Sequence, residues 1–207
     1  MKRSNIFLDI QVDASWITLS RACEAAGFRL ADTRVQLSRQ GTPDVRHPAL
    51  GRLRAARAED RDAVAGLAAR SLRGSRFHQD PFIASELADG LKAAWAVNYF
   101  TGRRGDGMVV ADTEEGVAGF LLFLRRNGTM VIDLIAVDAA VRGAGLGTGL
   151  VAFACGEARL QSLSVGTQAG NTTSLRFYQS LGFRVERICH VFHHHGLLPR
   201  SLSAGSA

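Results

Sequence analysis

Glycines at alternate positions behind an arginine form a segment that can bind a phosphate group. The segment follows the apolar run 131–137 and Asp138, and it reads Arg142, Gly143, Ala144, Gly145, Leu146, Gly147 and Thr148. This order predicts a strand, a glycine-rich loop and the start of a helix. The first N–H groups of a helix have no acceptor within it, and the helix dipole adds positive potential there. The junction therefore predicts an anion site, and glycine lets a bulky anion approach the backbone.

The spacing of the glycines distinguishes this loop from two better-known phosphate loops. It lacks the G-x-G-x-x-G spacing of dinucleotide-binding folds, and it lacks the Lys-Ser/Thr pair of the P-loop. The spacing Arg142-x-x-Gly145-x-Gly147 behind the Ile-Ala-Val-Asp run at 135–138 resembles the acyl-coenzyme-A loop of the GCN5-related N-acetyltransferases (GNAT). A glycine loop on its own can also be a plain turn.

A second motif occupies residues 170–183. Asn171 or Thr172 is predicted to cap a helix, and Gly182 is predicted to end it. The helix carries the aromatic pair Phe177-Tyr178, and Leu-Gly-Phe leads into the next strand. This motif resembles the second signature of the same superfamily, and the two signatures occur in the family's order. The resemblance implies an α/β GNAT fold, with a mixed central sheet and helices on both faces, preceded by a small α/β N-terminal unit.

The composition bounds the class of protein. The chain has 207 residues, 46% of them hydrophobic, which suits one domain or one domain with a small accessory. No apolar run is long enough to cross a bilayer, and no signal peptide is predicted. The three cysteines are scattered, without ligand spacing, which favours buried thiols in a reducing cytoplasm. We therefore expect a cytoplasmic protein.

The net charge of +6 bears on the partners. Lys2 and Lys92 are the chain's lysines, so nearly every cation is an arginine. The sequence has no long basic run and no interleaving of aromatic and basic residues, so we predict no nucleic-acid partner. A basic surface can attract polyanionic small molecules such as coenzyme A or a sugar nucleotide.

The chain divides at a polar linker with two prolines, residues 40–48. Residues 1–46 are predicted to form an accessory α/β unit, 47–198 the acetyltransferase domain and 199–207 a flexible tail. A helix followed by Gly-Phe and a strand occurs near Gly27 and again near Gly182, which indicates either a partial repeat or chance. The predicted strands are 6–12, 28–37, 53–57, 107–111, 116–124, 130–137, 163–167 and 184–193. The predicted helices are 14–26, 58–68, one that runs through 95 to 100, one that follows the glycine-rich loop, and 172–181.

The resemblance implies acetyl-CoA as the cofactor. Main-chain N–H groups of the loop would hold its pyrophosphate, and N–H groups on the preceding strand would pair with the pantetheine arm or the thioester carbonyl. The predicted cofactor residues are Ile135, Ala136, Val137, the loop residues from Arg142 to Thr148 named above, Asn171 and Ser174.

Two residues are predicted to take part in catalysis. By the resemblance, Tyr178 lies near the sulfur and acts as general acid, since a phenol can hydrogen-bond or protonate a thiolate. The alternative is a core aromatic. Asp133 is a charged residue in an apolar strand, so it is a general base in a cleft, a hydrogen-bonded structural carboxylate or a contact to hydroxyl groups of the acceptor. Deprotonation of the amine through ordered water is a third route.

Four histidines cluster at the end of the chain. On a strand, His190 and His194 face one way and His193 and His195 the other. Since four ligands cannot converge from this layout, and no cysteine or carboxylate is seen to complete a site, we predict no metal.

The acceptor is suggested by a likeness to one branch of the superfamily, the dTDP-fucosamine acetyltransferases. Ser75-Arg76-Phe77 and the Gly-Thr-Gln motif at 166–175 are similar to that branch. The likeness implies that Arg76, Phe77 and His78 line the site of a dTDP- or UDP-linked amino sugar. It also implies, by analogy, a homodimer. Asp133 and the histidine-rich end depart from the branch.

Two other functions stay open at this point. One is acetylation of a protein N-terminus or a small polyamine, although such cationic acceptors call for an acidic groove. The other is a non-catalytic coenzyme-A-binding sensor.

Overall fold

The computed structural model describes residues 5–43 and 52–197, without the side chains of Asn5 and Leu197. Most of the predicted linker and the predicted tail lie outside these residues. The described chain forms the strands β1 (Asn5–Asp13), β2 (Arg29–Gln40), β3 (Arg52–Ala55), β4 (Gly107–Thr113), β5 (Gly116–Arg126), β6 (Thr129–Val137), β7 (Ser162–Gln168) and β8 (Arg184–Leu197). Its α-helices are α1 (Ile17–Ala25), α2 (Arg61–Ser71), α3 (Arg76–Gln79), α4 (Ser85–Phe100), α5 (Leu146–Ala158) and α6 (Thr172–Ser180).

All eight strands belong to one sheet with the order β1-β8-β2-β7-β6-β5-β4-β3. Neighbouring strands are antiparallel except β6 and β7, which run parallel. The predicted mixed α/β sheet is therefore confirmed. In the described residues, no helix is long and apolar enough to span a membrane.

Helices cover both faces of the sheet because side chains alternate along the strands. Val109 and Leu121 face α5 in one apolar cluster, whereas Val110 and Phe120 face α2 and α4 in another. Both clusters contain side chains that are fully buried. The three cysteines are free and buried, as expected.

The N-terminal strands lie within this sheet. β2 is inserted between β7 and β8 and pairs with both over most of its length. Gly27 and Gly182 follow α1 and α6 with φ of +82° and +80°, and each leads into one of the paired strands β2 and β8. The division into units 1–46 and 47–198 stays a prediction, and the sheet joins strands from both.

The parallel strands β6 and β7 separate halfway along. Their pairing runs from Thr129 with Ser162 to Ile132 with Val165, yet β6 continues to Val137 and β7 to Gln168. Asp133 lies at the point of separation, where β6 carries a bulge against β5: Leu122 pairs with Leu134 and Phe123 with Ile132. A bulge bends its strand and redirects the extra side chain. The result is a gap in the sheet beyond Ile132.

Two elements differ from their predictions. The segment 72–82, predicted to be a loop, contains the short helix α3, which begins where the Ser75 carbonyl accepts hydrogen bonds from His78 and Gln79. β8 extends to Leu197 because β1 pairs with it along its whole second half. That pairing is long-range, so local sequence patterns do not reveal it.

Candidate active site

The glycine-rich loop presents its main-chain N–H groups to the space beside it. Gly143 and Gly145 have φ of +85° and +78°, a region that favours glycine, and an added Cβ at either would meet open space. The first donor within α5 is Gly149, which bonds to the Gly145 carbonyl at 3.0 Å. In the described chain, the amides of 143–148 donate to no acceptor. These N–H groups are therefore available to an anion.

Side chains around the loop hold its shape. Asp138 accepts a hydrogen bond from the Ala140 amide at 3.1 Å and caps the turn before the loop. The Nε of Arg142 donates to the Val137 carbonyl at 3.1 Å, so this arginine also ties the loop to the end of β6. At Gly147, an added Cβ would lie 3.2 Å from the ring of Phe177, so a side chain there would require that ring to shift.

A groove of about 600 Å³ runs from the loop to the gap between β6 and β7. We call it the loop groove. Nearly every predicted cofactor residue lines it: Ile135, Ala136, Val137, Arg142, Gly143, Gly145, Leu146, Gly147, Thr148, Asn171 and Ser174. Ala144 does not line it. Asn171 also caps α6 by accepting a hydrogen bond from the Ser174 amide at 3.1 Å, so the predicted cap is present.

A second cavity of about 200 Å³, the inner cavity, adjoins the loop groove. The two share Ser71, Leu72, Ile135, Asn171 and Ser174 as lining residues. The inner cavity reaches between β6 and β7 to β2, and it is closed on its other side by α3 and α4. A molecule in the loop groove and another in the inner cavity would meet at the shared residues.

Tyr178 lines the inner cavity from α6. Its side chain is buried, and its ring lies 5.1 Å from that of Phe177 and 5.4 Å from that of Phe183. Burial raises the pKa of Tyr178 above its usual value, so the phenol keeps its proton at neutral pH. The position suits both a core aromatic and a proton donor, and the catalytic role stays a prediction.

Asp133 is surrounded by hydrogen-bond donors. Trp95 Nε1, Tyr99 Oη and Arg104 Nε each donate to Oδ2 at 2.7 Å, and Arg104 Nη2 donates to Oδ1 at 2.7 Å. Burial acts to raise the pKa of this carboxyl, but the donors outweigh it, so the pKa of Asp133 lies below its usual value. The role of general base stays a prediction, and this geometry favours the alternative of a partnered carboxylate that anchors α4 to the bulge.

The three predicted acceptor residues occupy different places. Arg76 and Phe77 line the inner cavity, where the Arg76 guanidinium lies 4.5 Å from the centre of the Phe77 ring. Arg76 also forms an ion pair with Asp9 of β1 at 2.5 Å. His78 does not line either cavity; it bonds to Ser75 Oγ at 2.7 Å and to Asp89 at 3.0 Å, and so ties α3 to α4.

Several residues of the inner cavity escaped the sequence analysis. Arg34 and Asp32 reach it from β2, and Lys92 and Trp95 reach it from α4. β2 lies in the range predicted to be an accessory unit, so its side chains were not expected at the site. Lys92 did carry a signal, because it lies on the helix stripe of the buried Ala88 and Ala96, where a lysine is unusual.

The histidine-rich strand end contains a cluster that the sequence analysis missed. His193 and His195 share one face of β8, as predicted, but the expectation that no carboxylate joins them is wrong. Asp80, which follows α3, lies with its Oδ2 2.6 Å from His193 Nδ1 and 2.8 Å from His195 Nε2. Its Oδ1 accepts a hydrogen bond from the Phe82 amide at 2.9 Å, so these hydrogen bonds engage both carboxylate oxygens.

Comparison with known proteins places this geometry in a family. The model of the acetyltransferase (GNAT) family matches residues 70–183. The spore coat polysaccharide biosynthesis protein SpsD of Bacillus subtilis (strain 168) is 29% identical over 137 residues, which make up 65% of this chain and 47% of that protein. The chain thus spans about half the length of this curated relative.

Solved structures share the fold at low sequence identity. A GCN5-related N-acetyltransferase from Sphaerobacter thermophilus matches with a TM-score of 0.61 and 16% identity, over 93% of this chain and 61% of that one. Another from Kribbella flavida matches with a TM-score of 0.62 and 14% identity, over 90% and 68%. A tandem GNAT protein from the clavulanic acid biosynthesis pathway matches with a TM-score of 0.62 and 13% identity, over 92% and 64%.

Proposed function

Since the chain belongs to the acetyltransferase (GNAT) family, we propose that it is an acetyl-CoA-dependent N-acetyltransferase that acts on the amine of a nucleotide-linked amino sugar. One observation carries this proposal: a groove lined by free loop amides adjoins a cavity that holds a protonated tyrosine and several cations. The groove suits the cofactor, and the cavity suits the acceptor.

The loop groove fits coenzyme A on two counts. The free amides of 143–148 and the open space before Gly143 and Gly145 suit a diphosphate. On the side that faces β7, β6 has no strand partner beyond Ile132 in the described chain, so main-chain groups on this side can bond to a pantetheine arm, as proposed for Ile135 and Val137. Acetyl-CoA, when bound, supplies the acetyl group as a thioester.

Residues of the inner cavity would then carry out the proton transfers. Tyr178 would hold a proton at its Oη for the sulfur of the leaving thiol, since burial keeps the phenol neutral. Asp133 has its lone pairs engaged by Trp95, Tyr99 and Arg104, so we propose that it positions α4 and that water removes the proton of the amine. Main-chain donors on β6 would stabilise the developing oxyanion without reorganisation.

The charge of the inner cavity favours a sugar nucleotide over a cationic acceptor. Three cations, Arg34, Arg76 and Lys92, line the cavity with the carboxylate of Asp32, and the carboxylate of Asp133 is neutralised by Arg104, so positive charge is in excess. A polyamine or a protein N-terminus would be repelled there. The relative SpsD is named for polysaccharide biosynthesis, which supports a sugar-linked amine. A homodimer and a cytoplasmic location complete the proposal.

Release of free thiol from acetyl-CoA, measured against a panel of acceptors, tests the proposal. We expect release with dTDP- or UDP-amino sugars and none with peptides or polyamines. Release with peptides alone would overturn the acceptor class. Absence of release with every amine, together with tight binding of acetyl-CoA, would favour a sensor.

A further inference from the structure

Three cations from three separate elements meet at the inner cavity. Arg34 comes from β2, Arg76 from α3 and Lys92 from α4. The Arg76 guanidinium and the Lys92 ammonium lie 4.5 and 5.7 Å from the centre of the same Phe77 ring, so the two charges flank one aromatic side chain.

Within the described chain, these three cations outnumber the two carboxylates available to them, Asp32 of the same cavity and Asp9, which pairs with Arg76. Lys92 is 8% exposed, and it forms neither a hydrogen bond nor an ion pair there. Arg34 also has no such partner; its guanidinium lies over Gly166, where a side chain would displace it. Arg76 pairs with Asp9 through Nη2, but its buried Nε has no hydrogen-bond partner.

The electrostatics agree with this arrangement. Burial, and then repulsion from Arg76, lower the pKa of Lys92 to about 8. The same two causes, in the same order, lower the pKa of Arg34. A buried charge without a partner destabilises a fold, and the penalty disappears when an anion binds. The cavity is therefore prepared for a ligand that carries negative charge.

The coenzyme diphosphate does not account for these charges. Its proposed amides line the loop groove, and none of the described residues 137–148 lines the inner cavity. The molecule thus has two places for phosphate. Guanidinium groups match the oxygens of phosphate in a bidentate way, and an ammonium adds a compact charge.

We propose that Arg34, Arg76 and Lys92 form a second phosphate subsite, which binds the diphosphate of the acceptor and so selects a nucleoside-diphosphate sugar. This inference rests on the proposed function. It gives the N-terminal strand β2 a direct part in recognising the acceptor.

Calorimetric titration with UDP and dTDP, in the presence of saturating coenzyme A, tests the subsite. Because coenzyme A should fill the loop groove, heat released on addition of UDP or dTDP would report binding at a second phosphate site. We expect the wild-type protein to bind the nucleotide and Lys92→Met and Arg34→Gln each to weaken it by about tenfold or more, as for a lost charge-assisted hydrogen bond. Arg61→Gln, at an exposed position on α2, should bind like the wild type.

Each outcome has a separate meaning. Equal nucleotide affinity in wild type, Lys92→Met and Arg34→Gln would overturn the subsite, as would no nucleotide binding by a protein that binds coenzyme A. Weakened nucleotide binding without acetyl transfer to any amine would support the subsite and contradict the proposed function. Acetyl transfer to a free amino sugar with the same kcat/KM as to its nucleotide form would support the acetyltransferase and contradict the subsite. Uridine, which has no phosphate, should show the same affinity for the wild type and for every variant.

Discussion

The proposed chemistry depends on the protonation states of two residues, Tyr178 and Asp133. Burial raises the pKa of Tyr178, so its phenol stays protonated, whereas three donors hold the pKa of Asp133 low, so its carboxylate stays charged. The two groups line the same cavity in opposite states. Of these two residues, the tyrosine is therefore the one that carries a proton for a leaving group.

Replacing Tyr178 by Phe removes this proton and preserves the ring. We expect kcat to fall by roughly 10²-fold or more, as for the loss of a general acid, while the affinity for acetyl-CoA stays the same. Steady-state rates and calorimetry on the same preparation measure both. An unchanged kcat would show that Tyr178 is a core aromatic and not the acid.

We expect the buried Lys92 to lower the free energy of unfolding of the protein when no ligand is bound. Arg76 on α3, Arg34 on β2 and Asp133 on β6 face it, and the folded pKa of about 8 lies below the ordinary 10.5. The folded state therefore binds the proton more weakly than the unfolded state, so the penalty is full below about pH 8 and disappears as the pH rises towards 10.5.

Lys92→Met should thus raise the free energy of unfolding by roughly 3 kcal/mol at neutral pH. Urea denaturation at several pH values should show this gain shrinking above about pH 8. If Lys92→Met instead lowered the free energy of unfolding at neutral pH, this result would contradict the interpretation of Lys92 as a buried charge without a partner.

Contiguous sequence motifs reveal some residues of the site but not others. The glycines of the loop, Asn171 and Tyr178 belong to contiguous motifs, so their spacing already predicts where they lie. Arg34 and Lys92 reach the site because β2 is inserted beside β7 and because α4 borders the inner cavity. That placement depends on long-range pairing, which no local pattern encodes.

Among the elements, the junction of β6 with α5 makes the cofactor site. β6 leaves β7 after Ile132, the loop turns through two glycines with positive φ, and the first amides of α5 have no acceptor among the described residues. The strand, loop and helix were predicted from sequence. The bulge at Asp133 was not, because it depends on the register between β5 and β6.

Gly145→Ala tests the backbone of this junction. Space is available for the methyl group, so the cost arises from the φ of +78° and should be about 1–2 kcal/mol of stability. We also expect a higher KM for acetyl-CoA, because the amides of the loop shift.

Gly156→Ala is the matched control within the same helix. It also has open space, but its φ is ordinary, so the change should stabilise by about 0.5–1 kcal/mol and leave KM unchanged. Thermal unfolding and initial rates measure both variants. Equal effects of the two changes on KM would contradict the role of the loop backbone.

The whole molecule is organised around one continuous sheet. β2 pairs with β7 on one side and with β8 on the other, and β1 covers the outer edge of β8. The sequence left open whether the likeness in helix, Gly-Phe and strand near Gly27 and Gly182 reflects a partial repeat or chance, and it assigned the first of the two segments to an accessory unit. Their adjacency arises from strand order, which appears only in three dimensions.

A chain shortened to residues 47–207 tests how independent that unit is. Without β2, the strands β7 and β8 have no strand between them, and long unpaired edges promote aggregation. We expect the shortened chain to lack a cooperative unfolding transition and to bind no acetyl-CoA, measured by circular dichroism and calorimetry. A cooperatively folded fragment with full affinity would establish 47–198 as an autonomous domain.

We propose that the loop amides bind the diphosphate of acetyl-CoA, and a calorimetric comparison of two ligands tests this claim most directly. Acetyl-CoA carries the diphosphate, and acetyl-pantetheine carries the thioester arm without it. We predict that the wild-type protein binds acetyl-CoA at least about tenfold more tightly, the gain expected of charge-assisted hydrogen bonds, and that Gly145→Ala narrows the difference. Equal affinity for the two ligands, or no heat with acetyl-CoA, would contradict the claim.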